Sequence, residues 1–119
     1  MADHNELGRE GESFAADYLA SKGYTIVAQN WTYQKAEIDL IARMDDILCF
    51  VEVKTRTNVD FGLPQDMVKS KKIQTMVRAM DAFMQQQPED LQARLDIIAL
   101  LKTPAGFDVT HLEDAYYYF

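Results

Sequence analysis

Several residue types are scarce in this sequence and long apolar runs are absent from it, which excludes some classes of protein. Its 119 residues include one cysteine, three prolines and five glycines. The single Cys49 excludes an internal disulfide, and because no histidine lies nearby in sequence, we expect it to pack in a core rather than act as a nucleophile. No apolar run reaches the ~18 residues of a membrane span, and no secretory signal pattern opens the chain. We therefore expect a cytoplasmic protein with no membrane partner.

Positive charge is also scarce, since 12 Lys and Arg face 19 Asp and Glu, for a net charge of −7. Nucleic-acid-binding proteins usually present a basic face, so this balance argues against tight, non-specific coating of DNA. The cations are nevertheless concentrated, because six of them fall within 25 residues: Lys54, Arg56, Lys69, Lys71, Lys72 and Arg78. This concentration is compatible with a small nucleic-acid footprint.

The length and an apolar content of 48% predict one globular domain over residues 1–119. Helical spacing of apolar residues predicts a helix over 6–22 that stops at Gly23. A first strand follows over 24–30, and residues 31–35 are predicted to form a loop. Further on, the patterns predict a loop over 55–63, a helix over 64–87 broken near Ser70, strands over 94–101 and 107–111, and an aromatic tail over 116–119.

A hairpin carries the most informative pattern. Residues 36–42 and 47–54 are predicted strands, because β-branched and apolar residues dominate them and neither Pro nor Gly interrupts them. With a turn at Met44–Asp46, residues whose numbers sum to 91 are paired. Asp39 is then expected opposite Glu52, and Glu37 opposite Lys54, with Cβ atoms roughly 4.5–5.5 Å apart.

Two carboxylates that close repel each other unless a positive charge lies between them. A solvated hairpin face is the simpler interpretation, but both faces of this hairpin are largely apolar. We expect Ile41, Leu48 and Phe50 on the face of Asp39 and Glu52, and Ile38, Leu40, Val51 and Val53 on the other. Charges at one end of such a covered sheet are partly buried, and buried charges are usually paired or bind metal. The pattern predicts a divalent cation at Asp39 and Glu52 with Lys54 beside it, as metal-assisted phosphodiester hydrolysis requires.

The crossover through the long helix predicts that strand 94–101 runs parallel to a neighbour. A mixed sheet of about five strands with helices on both faces results, which is an α/β fold. The tail over 116–119 is too aromatic to remain in solvent. We expect it to dock onto the body of the domain or onto a partner chain, such as a second copy in a homodimer.

This element order, with Glu12, Asp39, Glu52 and Lys54, resembles the restriction-endonuclease-like superfamily. A closer resemblance is to the YraN family of bacterial proteins, which is in turn similar to archaeal Holliday-junction resolvases. It is carried by these motifs: Gly8-Arg9-x-Gly11-Glu12, Gly23-Tyr24, Asn30-Trp31, Glu37-Ile38-Asp39-Leu40-Ile41, Phe50-Val51-Glu52-Val53-Lys54-x-Arg56, Phe61-Gly62-x-Pro64 and Arg94-x-Asp96. One residue departs from the pattern, because Ala36 stands where the family usually has Gly, which puts any backbone approach that requires Gly there in question.

The resemblance implies a DNA endonuclease that depends on Mg²⁺ or Mn²⁺ and prefers branched or distorted DNA, such as Holliday junctions. Asp39 and Glu52 are then metal ligands, the Val53 carbonyl adds a third, and Glu12 is an outer or water-bridged ligand. Lys54 orients or deprotonates the attacking water and stabilises the transition state.

Other roles stay open at this point. Glu37 either pairs with Lys54 or holds water. Arg56, Lys71, Lys72 and Arg94 are candidates for phosphate contacts, although residues of these types are more often solvated charges. Arg94 and Asp96 also share a strand face and could simply pair with each other. His4 and His111 have no ligand-like neighbours in sequence and are assigned surface or packing roles.

Two other classes of function are compatible with the sequence. The first is a nucleic-acid-binding or protein-binding module that keeps a nuclease fold without turnover, which the acidic balance favours. The second is a structural adaptor that assembles through the aromatic tail. Intact metal ligands argue against both, because an inactive site has no reason to keep opposed carboxylates.

Overall fold

The computed structural model describes residues 4–57 and 63–119, in which five strands form one mixed sheet in the order β1-β2-β3-β4-β5. Strands β3 and β4 are parallel, and the other neighbours are antiparallel. The predicted α/β class is confirmed, and the sheet is consistent with a restriction-endonuclease-like fold. The elements are α1 (His4–Ser21), β1 (Thr25–Tyr33), β2 (Ala36–Met44), β3 (Ile47–Arg56), α2 (Ser70–Gln85), β4 (Gln92–Thr103) and β5 (Gly106–Leu112), with 3₁₀ turns at Pro64–Met67 and Ala115–Tyr118.

Most predicted elements are present with shifted ends. The predicted break near Ser70 is confirmed, because a 3₁₀ turn precedes α2 there. The predicted loop 31–35 is wrong for its first part, since β1 continues to Tyr33, and β3 extends to Arg56 into the predicted loop 55–63. Residues 58–62 of that loop, including Phe61 and Gly62, lie outside the described residues. No helix of the described chain is long and apolar enough to cross a membrane.

The two helices cover opposite faces of the sheet, as predicted for strands that are apolar on both sides. On one face α2 packs against a cluster that includes Ile41, Leu48 and Phe50. On the other face α1 packs against a cluster that includes Leu40 and Val51. Cys49 is fully buried on the α1 face, so its predicted packing role is confirmed.

Helix α1 ends where the sequence predicts, at Gly23. The glycine has a φ of +99°, and the backbone N–H of Tyr24 donates to the Leu19 carbonyl at 3.0 Å. A left-handed residue after the last helical turn is a common helix stop, and glycine adopts it without the steric cost that a Cβ would add. The turn directs the chain into the edge strand β1.

The substitution of Ala36 for the glycine usual in the family is accommodated. Ala36 is buried in the cluster beneath α2, and its φ is not positive. Its methyl group therefore contributes to packing, and the backbone there does not require glycine.

The C-terminal tail docks only in part. Ala115 is fully buried against the body of the domain, whereas Tyr116 and Tyr117 are 55% and 84% exposed. These two rings therefore do not dock onto the body of the domain, because the 3₁₀ turn buries its first residue, Ala115, and leaves the rings exposed. Their docking onto a partner chain stays a prediction.

One irregularity of the sheet determines the shape of the site. Ile38 packs with Ile41 on the α2 face, although Leu40 between them packs on the α1 face. The predicted placement of Ile38 with Leu40 is therefore wrong, because the alternation of faces breaks at Asp39. In β1 the break is matched at Asn30, whose φ is +51°, a conformation that Asn tolerates better than most residues. The break turns Glu37 toward the face that α1 covers.

Candidate functional site

The site begins where strands β2 and β3 separate. The predicted register is confirmed from Met44 opposite Ile47 to Leu40 opposite Val51. The described ladder ends there, one pair before Asp39 and Glu52, while β3 continues to pair with β4 through Arg56. The ladder between β2 and β3 does not include the predicted pair of Glu37 and Lys54 either.

The Asp39 carboxylate occupies the opening between the two strands. Its Oδ2 accepts a hydrogen bond from the Val53 backbone N–H at 2.7 Å. In a continued ladder a β2 carbonyl would accept this bond, so the side chain replaces the backbone as the partner of β3. A strand residue forms its ladder bonds through an N–H and a C=O on the same side. The Val53 carbonyl is therefore expected to face the same opening.

Three carboxylates converge at this opening. Oxygen atoms of Glu12, Glu37 and Asp39 lie within 4.8 Å of one another, with Glu12 and Asp39 partly buried and Glu37 exposed. Glu12 comes from α1, and its carboxylate reaches the opening, where the resemblance places a ligand. Glu37 joins it instead of pairing with Lys54, because the break at Asp39 directs it to the α1 side.

Close packing of α1 on β3 delivers Glu12 to the site. A Cβ atom on Gly11 would lie 2.0 Å from Thr55 Oγ1 and 3.1 Å from Thr55 Cβ. Only glycine permits this approach without displacement of the helix. In the motif Gly11-Glu12, Gly11 therefore allows the close contact between α1 and β3, and this contact positions the carboxylate of Glu12.

The Asn30 amide lies against two of the carboxylates. With its nitrogen oriented toward them, the amide donates to Glu12 Oε1 at 2.8 Å and to Glu37 Oε1 at 3.2 Å. The residue that forms the break in β1 thus also holds the two glutamates in place.

Glu52 approaches the site from the α2 face and, at 1% exposure, is more deeply buried than Glu12, Glu37 or Asp39. Lys72, from the first turns of α2, places its Nζ 2.6 Å from Glu52 Oε2, and Lys54 Nζ lies 4.0 Å from the same oxygen. When Asp39 and Glu52 are both ionised, Glu52 Oε1 has no hydrogen-bond donor among the described residues.

The crowding of carboxylates alters their proton affinity. Burial, together with hydrogen bonding to Glu52 and repulsion from it, raises the pKa of Asp39 to about 8, although the bond from the Val53 amide opposes this shift. Burial, and repulsion from Glu37 and Glu52, also raise the pKa of Glu12. Burial acts to lower the pKa of Lys72, but the pairing with Glu52 outweighs it and the pKa is raised. The site therefore holds more negative charge than its own cations neutralise.

These groups line a cleft of about 270 Å³ between α1, the sheet and the start of α2. The cleft brings together all the residues predicted for metal binding and catalysis, which are Glu12, Asp39, Glu52, Val53 and Lys54. Of the cations predicted to contact phosphate, Arg56 and Lys72 also line it, whereas Lys71 and Arg94 do not.

Arg94 instead belongs to a buried network on β4. Its Nε and Nη2 donate to the two oxygens of Asp96 at 2.9 Å each, which is the pairing that the sequence left open. His111 Nε2 lies 2.7 Å from Asp96 Oδ2, and the Asp114 N–H donates to Oδ1 at 3.0 Å. The Arg94 guanidinium and these donors hold the pKa of the fully buried Asp96 carboxyl at about 2, against the effect of burial. The network attaches β5 and the tail to the sheet.

Sequence reasoning missed three features of the site. The first two are the position of Glu37 and the contact of Asn30. Asn30 is a signal in the sequence that could have indicated the break in β1, because Asn is depleted in strands and enriched at left-handed backbone positions. The pairing of Lys72 with Glu52 was also missed, since it depends on how the crossover packs α2 on the sheet.

Comparison with known proteins identifies similar sequences over most of the chain. The profile of the Uncharacterised protein family UPF0102 matches residues 11–100, which include every cleft residue from Glu12 to Lys72. This match bears out the resemblance to the YraN family that the motifs indicated.

Relatives match over the whole chain. A UPF0102 protein of Flavobacterium psychrophilum is 50% identical over 119 residues, with 100% of both chains covered. A UPF0102 protein of Flavobacterium johnsoniae is 46% identical, and one of Christiangramia forsetii is 47% identical, again with 100% of both chains covered.

Proposed function

Because the chain belongs to the uncharacterised protein family UPF0102, we propose its activity from the chemistry of its own cleft: it is a divalent-metal-dependent DNA endonuclease. The observation that carries the proposal is the convergence of Glu12, Glu37 and Asp39 within 4.8 Å, next to the buried Glu52 and two lysines. We further propose that it acts in the cytoplasm.

The donor set fits Mg²⁺ or Mn²⁺. Hard cations of this kind prefer carboxylate and carbonyl oxygens, and Mg²⁺ keeps several waters and binds through few protein groups. Glu52 Oε1 is a buried acceptor without a donor when the acids are ionised. Burial raises the pKa of Asp39, and so do the hydrogen bond with Glu52 and the repulsion from it, and a bound cation would oppose these effects by stabilising the carboxylate. Asp39, Glu52 and the Val53 carbonyl would hold the ion, with Glu12 and Glu37 as ligands through water.

A bound ion of this kind supplies Lewis-acid polarisation of a phosphoryl oxygen and a water of lowered pKa. The chain's own groups complete the chemistry. Lys54, with its ammonium 4.0 Å from Glu52, orients the attacking water and stabilises charge that develops on the phosphate. Lys72 is half-exposed at the rim of the cleft and Arg56 lines it, so both lie close to where the phosphates next to the scissile one would bind.

Branched or distorted DNA is the proposed substrate class. Its support is the similarity of the motifs to those of Holliday-junction resolvases and the limited extent of the basic surface. A net charge of −7 disfavours long electrostatic tracking of duplex DNA.

A second candidate function is a DNA-binding module without turnover. The specific observation in its favour is the 2.6 Å contact between Lys72 and Glu52, in which an ammonium already neutralises a proposed metal ligand. In this alternative the lysine takes the place of the ion, and the cleft binds DNA without hydrolysing it.

The two candidates are separated by a cleavage panel at fixed salt. Wild type is incubated with labelled four-way junction, nicked, single-stranded and duplex DNA in Mg²⁺ or Mn²⁺, beside gel-shift titrations in Ca²⁺. The endonuclease proposal predicts metal-dependent cutting of the junction that is lost in Asp39→Asn and Glu52→Gln. Asp108→Asn on β5, which is exposed and outside the cleft, is the matched control and retains the cutting.

Binding of the junction without cutting of any DNA form in either metal would contradict the endonuclease proposal and support the binding module. Cutting that Asp39→Asn and Glu52→Gln leave unchanged would show instead that the nuclease is a contaminant.

A further inference from the structure

A second cavity lies beside the cleft, where the turn between β1 and β2 meets the outer side of α2. Its volume is about 350 Å³, and it is lined by Tyr33, Gln34, Lys35, Ala36, Thr75 and Arg78. A volume of this order is at the lower end of small-molecule sites.

Two cations at this cavity have no acidic partner. Within residues 4–57 and 63–119, neither Lys35 nor Arg78 forms an ion pair, whereas Lys72, Arg43 and Arg94 each do. Both side chains belong to exposed residues on a chain whose net charge is −7. Two unpaired cations that line one cavity make the local potential there more positive, which favours an anionic group.

An aromatic ring with a fixed orientation lines the same cavity. The Tyr33 ring stacks beside Trp31, with centroids 6.1 Å apart and planes 11° apart. Trp31 is itself held edge-on by Phe83, at 5.1 Å and 86°. The Tyr33 hydroxyl has no hydrogen-bond partner in the described part of the chain. A partly exposed ring held in this way is the kind of surface on which an unpaired base stacks.

The cavity and the acidic cleft are joined by two elements. On α2, Lys72, Thr75 and Arg78 are spaced three residues apart, so they follow one side of the helix over about 9 Å. On β2, Ala36 of the cavity directly precedes Glu37 of the cleft. A strand of nucleic acid that leaves the cleft along α2 therefore reaches the cavity within one or two nucleotides.

We propose that this cavity is a subsite for one unpaired nucleotide of the DNA strand next to the scissile phosphodiester. Lys35 and Arg78 bind its phosphate, and its base stacks on Tyr33. The ligand is an unpaired nucleotide, because in a continuous duplex both faces of each base are already stacked. The inference rests on the proposed function, and it adds the reason for a preference for branched DNA, whose strands expose unpaired bases at the branch.

The test compares two DNA ligands of the same length in Ca²⁺, namely a duplex with a single-stranded flap and a blunt duplex. We expect Lys35→Ala/Arg78→Ala to bind the flap roughly tenfold more weakly and the blunt duplex with unchanged affinity. In a plot of the logarithm of flap affinity against the logarithm of salt concentration, the slope should become less steep by about 0.7, as expected for one lost phosphate contact. Tyr33→Leu should weaken flap binding roughly tenfold, while Tyr33→Phe, which keeps the ring, should not.

A matched control is Lys22→Ala/Arg43→Ala, which removes the same two residue types. Lys22 follows the end of α1, Arg43 lies near the end of β2 distant from Glu37, and neither lines the cleft or the cavity. This variant should bind the flap like wild type. Thermal melting of each variant ensures that only folded proteins are compared.

Wild-type flap affinity in Lys35→Ala/Arg78→Ala would overturn the subsite, even if the protein cuts DNA. Equal weakening for the flap and the blunt duplex would overturn the assignment to an unpaired nucleotide. Absence of cutting by wild type, with a selective loss of flap binding in the variant, would refute the endonuclease while supporting the subsite. The two failures are thus distinguishable.

Discussion

Substitution of Asp39 by Asn should remove a pH dependence from the folding stability of the metal-free protein. The pKa of Asp39 is raised to about 8 in the folded state, from 3.8 in a model compound, because the carboxyl is buried beside Glu52. Between these two pH values the folded state keeps a proton that the unfolded state has released. The protonated Asp39 therefore makes its full contribution to the free energy of unfolding below the unfolded pKa, and this contribution declines as pH rises toward 8.

The magnitude follows from the number of protons rather than from the size of the shift. With one more proton bound in the folded state, the free energy of unfolding falls by about 1.4 kcal/mol per pH unit. From pH 5 to pH 7 the wild type should lose roughly 2.7 kcal/mol relative to Asp39→Asn.

Asn is a suitable replacement because it imitates the protonated acid. Its amide oxygen can accept the bond from the Val53 N–H, which the Asp39 carboxylate accepts at 2.7 Å, and its NH₂ can donate to Glu52. The two proteins should therefore be about equally stable at pH 5, and the variant should be more stable at pH 7.

The assay is urea unfolding in chelator at pH 5, 6, 7 and 8, with Asp108→Asn as a control for loss of one exposed carboxylate. Addition of Mg²⁺ at pH 7 should stabilise the wild type more than Asp39→Asn, because the ion binds a deprotonated carboxylate, which Asn cannot supply. Parallel stability profiles for wild type and Asp39→Asn in chelator would refute the reasoning. They would mean that the two carboxylates are separated or solvated in the folded protein.

Three further predictions address other parts of the site. Gly11→Ala should destabilise the protein by about 1–3 kcal/mol in thermal or urea unfolding, because its Cβ meets Thr55, whereas Gly8→Ala, with no atom within 4 Å, should be neutral or stabilising; equal effects would exclude the close approach. Glu12→Gln should weaken Mn²⁺ binding roughly tenfold by calorimetry, and unchanged affinity would remove Glu12 from the metal site. Lys54→Ala should reduce single-turnover cleavage roughly a hundredfold while Mn²⁺ affinity stays the same or rises slightly; a parallel loss of affinity would give Lys54 a binding role instead.

The hairpin register and the element order could be predicted because local rules determine them. The turn at Asp45 and Asp46 fixes which residues of β2 and β3 oppose each other, and five observed pairs follow that register. The crossover through α2 makes β4 parallel to β3, as the preference for short, right-handed connections implies. These features depend on sequence separation and on the residues of the turn, and both can be read from a single amino-acid sequence.

The break at Asp39 could not be predicted because both faces of this sheet are covered. In a half-exposed sheet, alternation of polar and apolar residues assigns each side chain to a face. Here Ile38, Leu40 and Ile41 are all apolar and all buried, so the pattern is satisfied with or without a break. Because of this ambiguity the sequence assigned Glu37 to the wrong face, and its predicted position opposite Lys54 is wrong for that reason.

The same break explains how a small domain concentrates so much negative charge. In a regular hairpin Glu37, Asp39 and Glu52 would share one face. In the observed sheet Glu37 lies on the α1 side with Glu12, while Glu52 lies on the α2 side with Lys72. Asp39 lies in the opening between them, bonded to the Val53 amide of the central strand.

The site therefore combines side chains from both faces of the sheet, the face covered by α1 and the face covered by α2. Charges separated onto two faces repel each other less than charges stacked on one, so the fold tolerates them without a bound ion, at the cost of a proton retained near neutral pH. An ion at the opening would be within reach of carboxylates from α1 and from both strands, while Lys72 and Lys54 approach from the α2 side. A metal-dependent hydrolase requires this separation of roles, with acids that hold the ion and cations that face the phosphate. The opening of the sheet at Asp39 therefore links the strand geometry to the proposed chemistry, and a variant that closed the ladder there would be expected to keep the fold and lose the site.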